Sequence, residues 1–262
     1  MRMRSLWSEW PRIRKRLTGK NLILLLDYDG TLAPIVARPF QARLPAGVRA
    51  VLRRLAGSPR VALGVVSGRE LSQLERLIRL RNICYVGSHG LEWSLPSPGP
   101  RQRAPRRWAG PVREITKELR QTLCGLPNIW IQRKISSVAV HYRGANSRHV
   151  DVARGQVARI LRRHGTQFRL LEGKKVLEFL PAGRTTKGTA VRALEARLRP
   201  WRKMPVVVYF GDDATDESVF ASLGRSDLGV FVGRPRSGRA RLYVSSPNQV
   251  RRFLERLSRI VL

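Results

Sequence analysis

The chain has 262 residues, of which 42% are hydrophobic, and its formal net charge at pH 7 is +33. This length and hydrophobic content indicate one large or two modest folded domains and argue against an intrinsically disordered chain. The two cysteines, Cys84 and Cys124, are far apart in sequence, which argues against a disulfide framework or a cysteine-based metal site and favours the cytoplasm. The apolar run after the basic N-terminus has only five residues, so we expect neither an export signal nor a membrane span.

The excess positive charge has two interpretations. The chain contains 51 Lys plus Arg against 18 Asp plus Glu, and only eight of the 51 are lysines. Arginines occur in every predicted helix rather than in one block, which favours a compositional bias of the whole surface. The alternative is a polyanion-binding protein. Because there is no zinc-finger spacing and no localised arginine block, we expect at most nonspecific polyanion affinity and no specific nucleic-acid partner.

Apolar segments in the first third of the chain alternate between strand and helix patterns. Continuous apolar runs predict strands at 22–26, 61–66 and 83–86, and helical spacing predicts helices at 45–56 and 70–80. Strands that are apolar throughout and separated by helices are typical of a parallel sheet covered on both faces.

A second pattern interrupts the first. After a proline-rich loop at 94–105, the sequence predicts helices at 111–124 and 150–163, strands at 129–132 and 137–142, and a hairpin over 168–180. The first pattern then returns, with helices at 187–198, 214–223 and 248–257 and strands at 206–210 and 230–232. We therefore predict a doubly wound, parallel-sheet α/β core with an inserted α+β cap. The expected regions are a basic N-terminal arm (1–20), the core (21–106 and 182–262) and the cap (107–181).

Acidic residues are scarce in this chain and gather in two segments. Five of the seven aspartates are Asp27, Asp29, Asp212, Asp213 and Asp216, and each segment follows an apolar strand. Doubly wound sheets bind ligands beyond the carboxyl ends of their strands, so both segments are expected in one crevice. Carboxylates this close share a proton or a cation, and a site rich in oxygen suits Mg²⁺. Alternatively, Asp213 or Asp216 caps the helix near residue 214, which accounts for one acid but not for all five.

Groups suited to binding phosphate end the neighbouring segments. Ser67 and Gly68 follow the second strand and offer a hydroxyl and accessible amides ahead of a helix. Gly30 and Thr31 do the same after the first strand, and Lys187 opens a helix where it can neutralise a phosphoryl oxygen. Each short motif is common by chance, but their order along the chain, at strand ends and helix starts, indicates a phosphate site.

These segments, taken together, resemble the signature of the haloacid dehalogenase superfamily of phosphatases. The run D-Y-D-G-T-L-A-P-I narrows the resemblance to the trehalose-6-phosphate phosphatase family, over nearly the whole chain from Leu22 onward. The resemblance implies that Asp27 is the nucleophile and that Asp29 is the general acid and base. It also implies a Mg²⁺ ion held by Asp27, the backbone carbonyl of Asp29 and Asp212, with Asp213 in or near the outer shell. Asp216 is expected to orient the site rather than bind the metal.

The same resemblance implies which residues select the sugar. These are His89 and Glu92 near the third strand, and four residues of the cap, His141, Arg143, Lys174 and Glu178. Lys174 and Glu178 are four residues apart in a predicted strand, where even spacing places both on one face. The expected substrate is trehalose 6-phosphate, and the alternative is a related phosphatase acting on sucrose phosphate or a glycosylglycerate phosphate.

The regions around the core carry further expectations. The N-terminal arm is either a helix packed on the core through Leu6, Trp7, Trp10 and Ile13 or a tether to an acidic partner. Hinges for closure of the cap are predicted near 96–107 and 181–185. A monomer is favoured over an oligomer.

Overall fold

The computed structural model describes residues 3–36, 38–198 and 204–262, and the chain divides into two compact units. The core unit comprises Met1–Arg103 and Thr185–Leu262, and the inserted unit comprises Ala104–Arg184. The first two residues of the predicted N-terminal arm lie outside the described residues.

Strands and helices follow one another along both units. The strands are β1 (Arg4–Ser5), β2 (Leu22–Asp27), β3 (Val61–Val66), β4 (Cys84–Gly87), β5 (Glu92–Ser94), β6 (Arg101–Gln102), β7 (Trp130–Arg133), β8 (Val138–His141), β9 (Phe168–Gly173), β10 (Val176–Pro181), β11 (Val206–Gly211), β12 (Leu228–Val232) and β13 (Leu242–Val244). The helices are α1 (Trp10–Leu17), α2 (Val48–Gly57), α3 (Leu71–Ile78), α4 (Ala109–Thr122), α5 (Ser147–His164), α6 (Lys187–Leu198), α7 (Glu217–Phe220) and α8 (Pro247–Val261).

One mixed sheet forms the centre of the core unit. Its strand order is β1-β13-β12-β11-β2-β3-β4-β5-β6, and only the β4–β5 and β5–β6 pairs are antiparallel. Along β2, Leu22, Leu24 and Leu26 pack under helices α1, α2, α3 and α8, whereas Ile23 and Leu25 pack under α6 and α7. Both faces of this strand are buried, which explains its continuous apolar run. The predicted doubly wound core is confirmed.

The inserted unit has its own antiparallel sheet and its own core. The strand order is β7-β8-β10-β9, and every pair is antiparallel. Helices α4 and α5 bury Val112, Ile115 and Val157 against Val138 and Phe179 of the strands. Since the apolar residues of this unit pack among themselves, the unit has the separate core expected of an inserted cap domain.

Several local predictions differ from the structure. The helix predicted at 214–223 is a short 3₁₀ turn, Ala214–Asp216, followed by a single turn of α-helix, Glu217–Phe220, and Asp213 and Asp216 form a capping box at its start. The proline-rich loop at 94–105 contains β6, and the short strand β13 was not predicted. In the described part of the N-terminal arm, α1 packs on the core, with Trp10 between Trp7 and Phe253 at ring distances of 5.8 and 5.9 Å.

Candidate active site

The two acidic segments meet at the carboxyl end of the parallel sheet. Asp27 is the last residue of β2, which pairs with β11, the strand that precedes Asp212. Between them, Gly30 has a φ of +84°, and a Cβ at this position would lie 2.1 Å from Asp212 Oδ2. Only glycine adopts this conformation and also allows the carboxylate so close to the backbone. The loop after β2 is therefore shaped around Asp212.

A single buried lysine connects these segments. Lys187, the first residue of α6, donates hydrogen bonds from Nζ to Asp27 Oδ1 at 2.7 Å and to Asp216 Oδ1 at 2.8 Å. Burial alone would lower the pKa of Lys187, but Asp216 and Asp27 outweigh it and raise the pKa, so the ammonium stays charged. Lys187 therefore anchors one oxygen of Asp27 and fixes the direction of its carboxylate.

Asp216 is fully engaged by hydrogen-bond donors. Its Oδ1 accepts from Lys187 and from the Tyr209 hydroxyl at 2.6 Å, and its Oδ2 accepts from the backbone amides of Asp212 and Asp213, both at 3.0 Å. Burial would raise the pKa of Asp216, but Lys187 and Tyr209 hold it below its ordinary value. Asp216 therefore positions the loop after β11 and has no oxygen left for a strong metal bond.

A candidate metal site lies where the carboxylates of Asp27 and Asp212 meet that of Asp216. Oxygen atoms of Asp27, Asp212 and Asp216 lie within 4.8 Å of one another, and all three residues are buried. Burial raises the pKa of Asp27 well above its ordinary value, Lys187 opposes this shift, and Asp216 and Asp212 add to it. Among the described residues, these three carboxylates share the ammonium of Lys187, and this excess of negative charge together with the oxygen donors fits a hard divalent cation. Asp27 and Asp212 are the side chains available to bind it.

The side chain of Asp213 makes a local contact within the loop after β11. Its Oδ1 accepts a hydrogen bond from the amide of Ala214 at 2.7 Å and starts the 3₁₀ turn after β11. This is the capping role that the sequence had offered as an alternative for one of the acids. An outer-shell role of Asp213 at the metal stays a prediction.

The second aspartate of the first loop is held by an arginine. Both oxygens of Asp29 accept hydrogen bonds from Arg69, one from Nε and one from Nη2, each at 2.6 Å. Burial alone would lower the pKa of Arg69, but its hydrogen bonds to Asp29 outweigh this effect and raise it. The sequence interpretation missed Arg69, although it lies in the Ser67–Gly68–Arg69 segment, because one arginine among 43 carries little information.

The predicted phosphate-binding residues surround the ends of β2 and β3. Ser67 is buried, and its Oγ accepts from the amide of Arg69 at 3.2 Å. Gly68 lies under the imidazole of His89, where a Cβ would be 2.4 Å from Nε2. Thr31 is wholly buried, and none of the described residues forms a hydrogen bond with its hydroxyl. A buried hydroxyl without such a bond is suited to accept a polar ligand or a water.

His89 and Glu92 belong to a strained loop after β4. Ser88 and His89 have φ values of 48° and 55°, in the left-handed region that non-glycine residues rarely adopt. Glu92 is buried, and its Oε2 accepts from the Ser88 hydroxyl at 2.7 Å and from the amide of Leu71, the first residue of α3, at 3.0 Å. This carboxylate therefore stabilises the loop and a helix N-terminus, and its predicted contact with a sugar stays a prediction.

The predicted sugar-binding residues of the inserted unit are arranged differently from expectation. Lys174 lies in the turn between β9 and β10, not in one strand with Glu178, because the chain reverses at this point and Lys175 has a φ of 63°. The even-spacing argument for the two residues was therefore wrong. Glu178 Oε1 instead accepts from Lys134 Nζ at 2.7 Å and from the Ser137 hydroxyl at 2.6 Å. Lys134 was missed by the sequence interpretation.

Two other predicted residues lie near the ends of β8. His141 stacks on Trp130 with ring centroids 4.0 Å apart, and its Nε2 lies 3.1 Å from Gln132 Oε1. Arg143 donates to the carbonyl of Lys174 at 2.9 Å. His141 is thus oriented by two side chains of β7, whereas Arg143, beyond the end of β8, is oriented by the backbone of the turn between β9 and β10.

The chain is similar to known proteins over most of its length. A sequence model of the trehalose-phosphatase family matches residues 25–252. Trehalose-phosphate phosphatase of Mycobacterium ulcerans is 33% identical over 250 residues, which are 92% of this chain and 63% of that protein. Probable trehalose-phosphate phosphatase 4 of Oryza sativa is 30% identical over 257 residues, 95% of this chain and 69% of the rice protein. The chain thus spans less than two thirds of the length of the mycobacterial relative.

A solved structure shares the fold. The C-terminal domain of Candida albicans trehalose-6-phosphate phosphatase superposes with a TM-score of 0.83 at 22% identity, and the match covers 99% of both chains.

Among the described residues, no helix has the length and apolar character required to span a bilayer.

Proposed function

This chain belongs to the trehalose-phosphatase family, and from that membership we propose that it hydrolyses trehalose 6-phosphate to trehalose and inorganic phosphate. The observation that carries the proposal is the buried Asp27 carboxylate at the end of β2, with one oxygen fixed by Lys187 and a second carboxylate, Asp29, two residues away. A fixed nucleophile beside a second carboxylate is the arrangement that two-step phosphoryl transfer requires.

In the first step, an oxygen of Asp27 attacks phosphorus and the bond from phosphorus to the sugar oxygen breaks. Asp29 gives its proton to the departing sugar oxygen, which leaves an aspartyl-phosphate and the neutral sugar. Lys187 keeps Asp27 oriented, and the hydroxyls of the buried residues Ser67 and Thr31 hold phosphoryl oxygens.

In the second step, water attacks the phosphorus of the aspartyl-phosphate. Asp29 takes a proton from that water, and cleavage of the bond between phosphorus and Asp27 releases phosphate and restores the starting carboxylate. When Asp29 carries the proton, the protonated oxygen becomes a weak acceptor and its hydrogen bond with Arg69 weakens, while the other oxygen keeps its bond with Arg69.

We assign the cofactor as Mg²⁺, held by Asp27, Asp212 and the backbone carbonyl of Asp29. When bound, the ion neutralises charge between the nucleophile and the phosphate dianion. The excess of buried carboxylates over ammonium groups at this site supports the assignment. That the enzyme is monomeric and cytoplasmic stays a prediction from the sequence.

The test is phosphate release from trehalose 6-phosphate, with sucrose 6-phosphate and glucose 6-phosphate as competing substrates. We expect release that requires both Mg²⁺ and Asp27, so that Asp27→Asn is inactive. Asp151→Asn, on the exposed side of α5, is the matched control and should keep full activity. Faster release from another sugar phosphate would keep the chemistry and reject the substrate, and no release from any of them would reject the function.

A further inference from the structure

The side chains of Arg69 and Asp29, which form an ion pair, differ in their exposure to solvent. The Arg69 side chain is 9% exposed, whereas the Asp29 side chain is 40% exposed. Two separate nitrogens of the guanidinium each bind a separate oxygen of the carboxylate at 2.6 Å. Two parallel bonds fix both the position and the plane of a carboxylate, which one bond cannot do. Arg69 is therefore the fixed partner, and Asp29 is the partner that faces solvent and ligands.

The position of Arg69 is itself determined by its surroundings. Its guanidinium carbon lies 5.2 Å from the centroid of the Tyr28 ring, and Tyr28 is fully buried. The backbone of Arg69 donates to Ser67 Oγ at 3.2 Å and accepts from the amide of Ser88 at 2.7 Å. Residues from the loops after β2, β3 and β4 thus hold this side chain in place.

We infer that Arg69 is a positioning residue, which sets the direction of the Asp29 carboxylate and acts on phosphate-ester hydrolysis only through Asp29. This inference rests on the proposed function, because it assumes that Asp29 exchanges protons in the reaction. The competing role for a buried arginine beside a phosphate site is direct binding of the phosphate. The two roles predict different effects of an Arg69 substitution on kcat once Asp29 has been replaced.

The decisive experiment is a double-mutant cycle in the full chain with Mg²⁺ and trehalose 6-phosphate. Arg69→Gln should lower kcat by about 10²-fold, the lower end of the contribution of general acid–base catalysis, with KM changed less than about twofold. In the Asp29→Asn background, Arg69→Gln should change kcat less than about twofold, because the group it positions is gone. Equal losses in both backgrounds, or a raised KM in both, would overturn the inference in favour of phosphate binding.

A second substrate separates positioning from general damage to the site. The leaving group of 4-nitrophenyl phosphate departs without a proton, so formation of the aspartyl-phosphate from it does not need Asp29. We expect Arg69→Gln to keep a stoichiometric burst of nitrophenol and to lose only the slower turnover that follows. Loss of the burst would mean that Arg69 acts on the phosphate itself and would overturn the inference.

Two further variants guard against loss of the fold. Arg69→Lys keeps the buried charge but offers no fork of donors, so it should have a kcat between those of the wild type and Arg69→Gln, with an unchanged melting temperature. Arg76→Gln, on the exposed face of α3, is the matched control and should match the wild type. An Arg69→Lys variant with full activity would overturn the inference.

The cycle also distinguishes the failure of this inference from the failure of the proposed function. A wild-type protein that hydrolyses neither ester would overturn both. A wild-type protein whose activity needs Asp27, combined with additive effects of Arg69→Gln and Asp29→Asn, would keep the proposed function and overturn only the role of Arg69.

Discussion

Each unit of the protein contains a buried lysine bound to a carboxylate, and the two clusters differ in their balance of charge. In the core unit Lys187 faces Asp27 and Asp216 within a group that also includes Asp212. In the inserted unit Lys134 faces Glu178, which also accepts from the hydroxyl of Ser137.

The difference indicates what each cluster does. Among the described residues of the core cluster, three carboxylates with one ammonium leave negative charge that a cation can neutralise, and burial raises the pKa of Asp27. In the inserted unit Lys134 binds Glu178 directly and Arg169 interacts with it electrostatically, so the described residues of this cluster have no comparable excess of negative charge and hold Glu178 in place. We therefore associate the core cluster with chemistry and the inserted cluster with recognition. The predictions below test this division.

Removal of the nucleophile should have the largest effect. Asp27→Asn keeps the size of the side chain and its position beside Lys187 but cannot form the aspartyl-phosphate, so kcat should fall by about 10⁴-fold or more. The measurement is phosphate release at saturating trehalose 6-phosphate. An Asp27→Asn variant with more than about one tenth of wild-type activity would place the nucleophile elsewhere.

Removal of the charge on Asp216, the second carboxylate bound to Lys187, should mainly reduce the stability of the fold. Asp216→Asn removes a fully buried charge that binds Lys187, Tyr209 and two amides, so we expect the free energy of unfolding to fall by about 3 kcal/mol. The measurement is urea denaturation, with the exposed Asp151→Asn as the control.

This destabilisation should depend on pH with a defined sign. The pKa of Asp216 is held below its ordinary value, so the charged form contributes stability that is present above that value. The contribution is lost as the pH falls through the depressed pKa. The difference between wild type and Asp216→Asn should therefore shrink in acid; a difference that grows in acid would contradict the assignment.

Mg²⁺ should stabilise the core unit through Asp212. At a concentration about 100 times its Kd, the ion should add about 2.7 kcal/mol to the free energy of unfolding of the wild type. Asp212→Asn should lose most of this gain. Thermal unfolding with and without Mg²⁺ measures the effect without reference to activity, and Lys134→Met in the inserted unit should keep the full gain. An equal gain in Asp212→Asn would remove Asp212 from the metal site.

The smallest effect is expected in the inserted unit. Glu178→Gln keeps a hydrogen-bond acceptor for Lys134 and Ser137, so the fold should persist while KM for trehalose 6-phosphate rises about tenfold, or about 1.4 kcal/mol. Steady-state kinetics give the separate values of kcat and KM. A tenfold fall in kcat at unchanged KM would instead connect Glu178 with the chemical step and contradict the division between the two clusters.

The strands and helices that fix the core were largely predictable. The helix predicted at 187–198 has the same bounds in the structure, and the strand predicted at 22–26 differs from β2 only by the addition of Asp27. The strand is a continuous apolar run, and the helix buries Val191, Leu194 and Leu198 at helical spacing, so local sequence specifies both elements. The strand β13 has only three residues and follows an arginine-rich segment, and its pairing with β12 stabilises a strand that its own sequence does not predict.

How well a site residue could be predicted depended on how much information its residue type and its local sequence carry. Aspartates are scarce in this chain, so their positions after apolar strands were informative, and the structure brings Asp27, Asp212 and Asp216 together. Arg69 is one of 43 arginines, and Lys134, although lysine is about as scarce here as aspartate, belongs to no recognised motif. Their roles became visible only from their contacts with Asp29 and Glu178.

The sequence by itself determined the doubly wound core, the inserted segment and the family, because hydrophobic periodicity and short motifs are local properties. The tertiary structure alone decided which charged groups meet. Lys187 and Asp27 are 160 residues apart, and Glu178 pairs with Lys134 rather than sharing a strand face with Lys174. Such contacts depend on how separate elements pack, and a buried charge takes the partner that packing brings within hydrogen-bond distance.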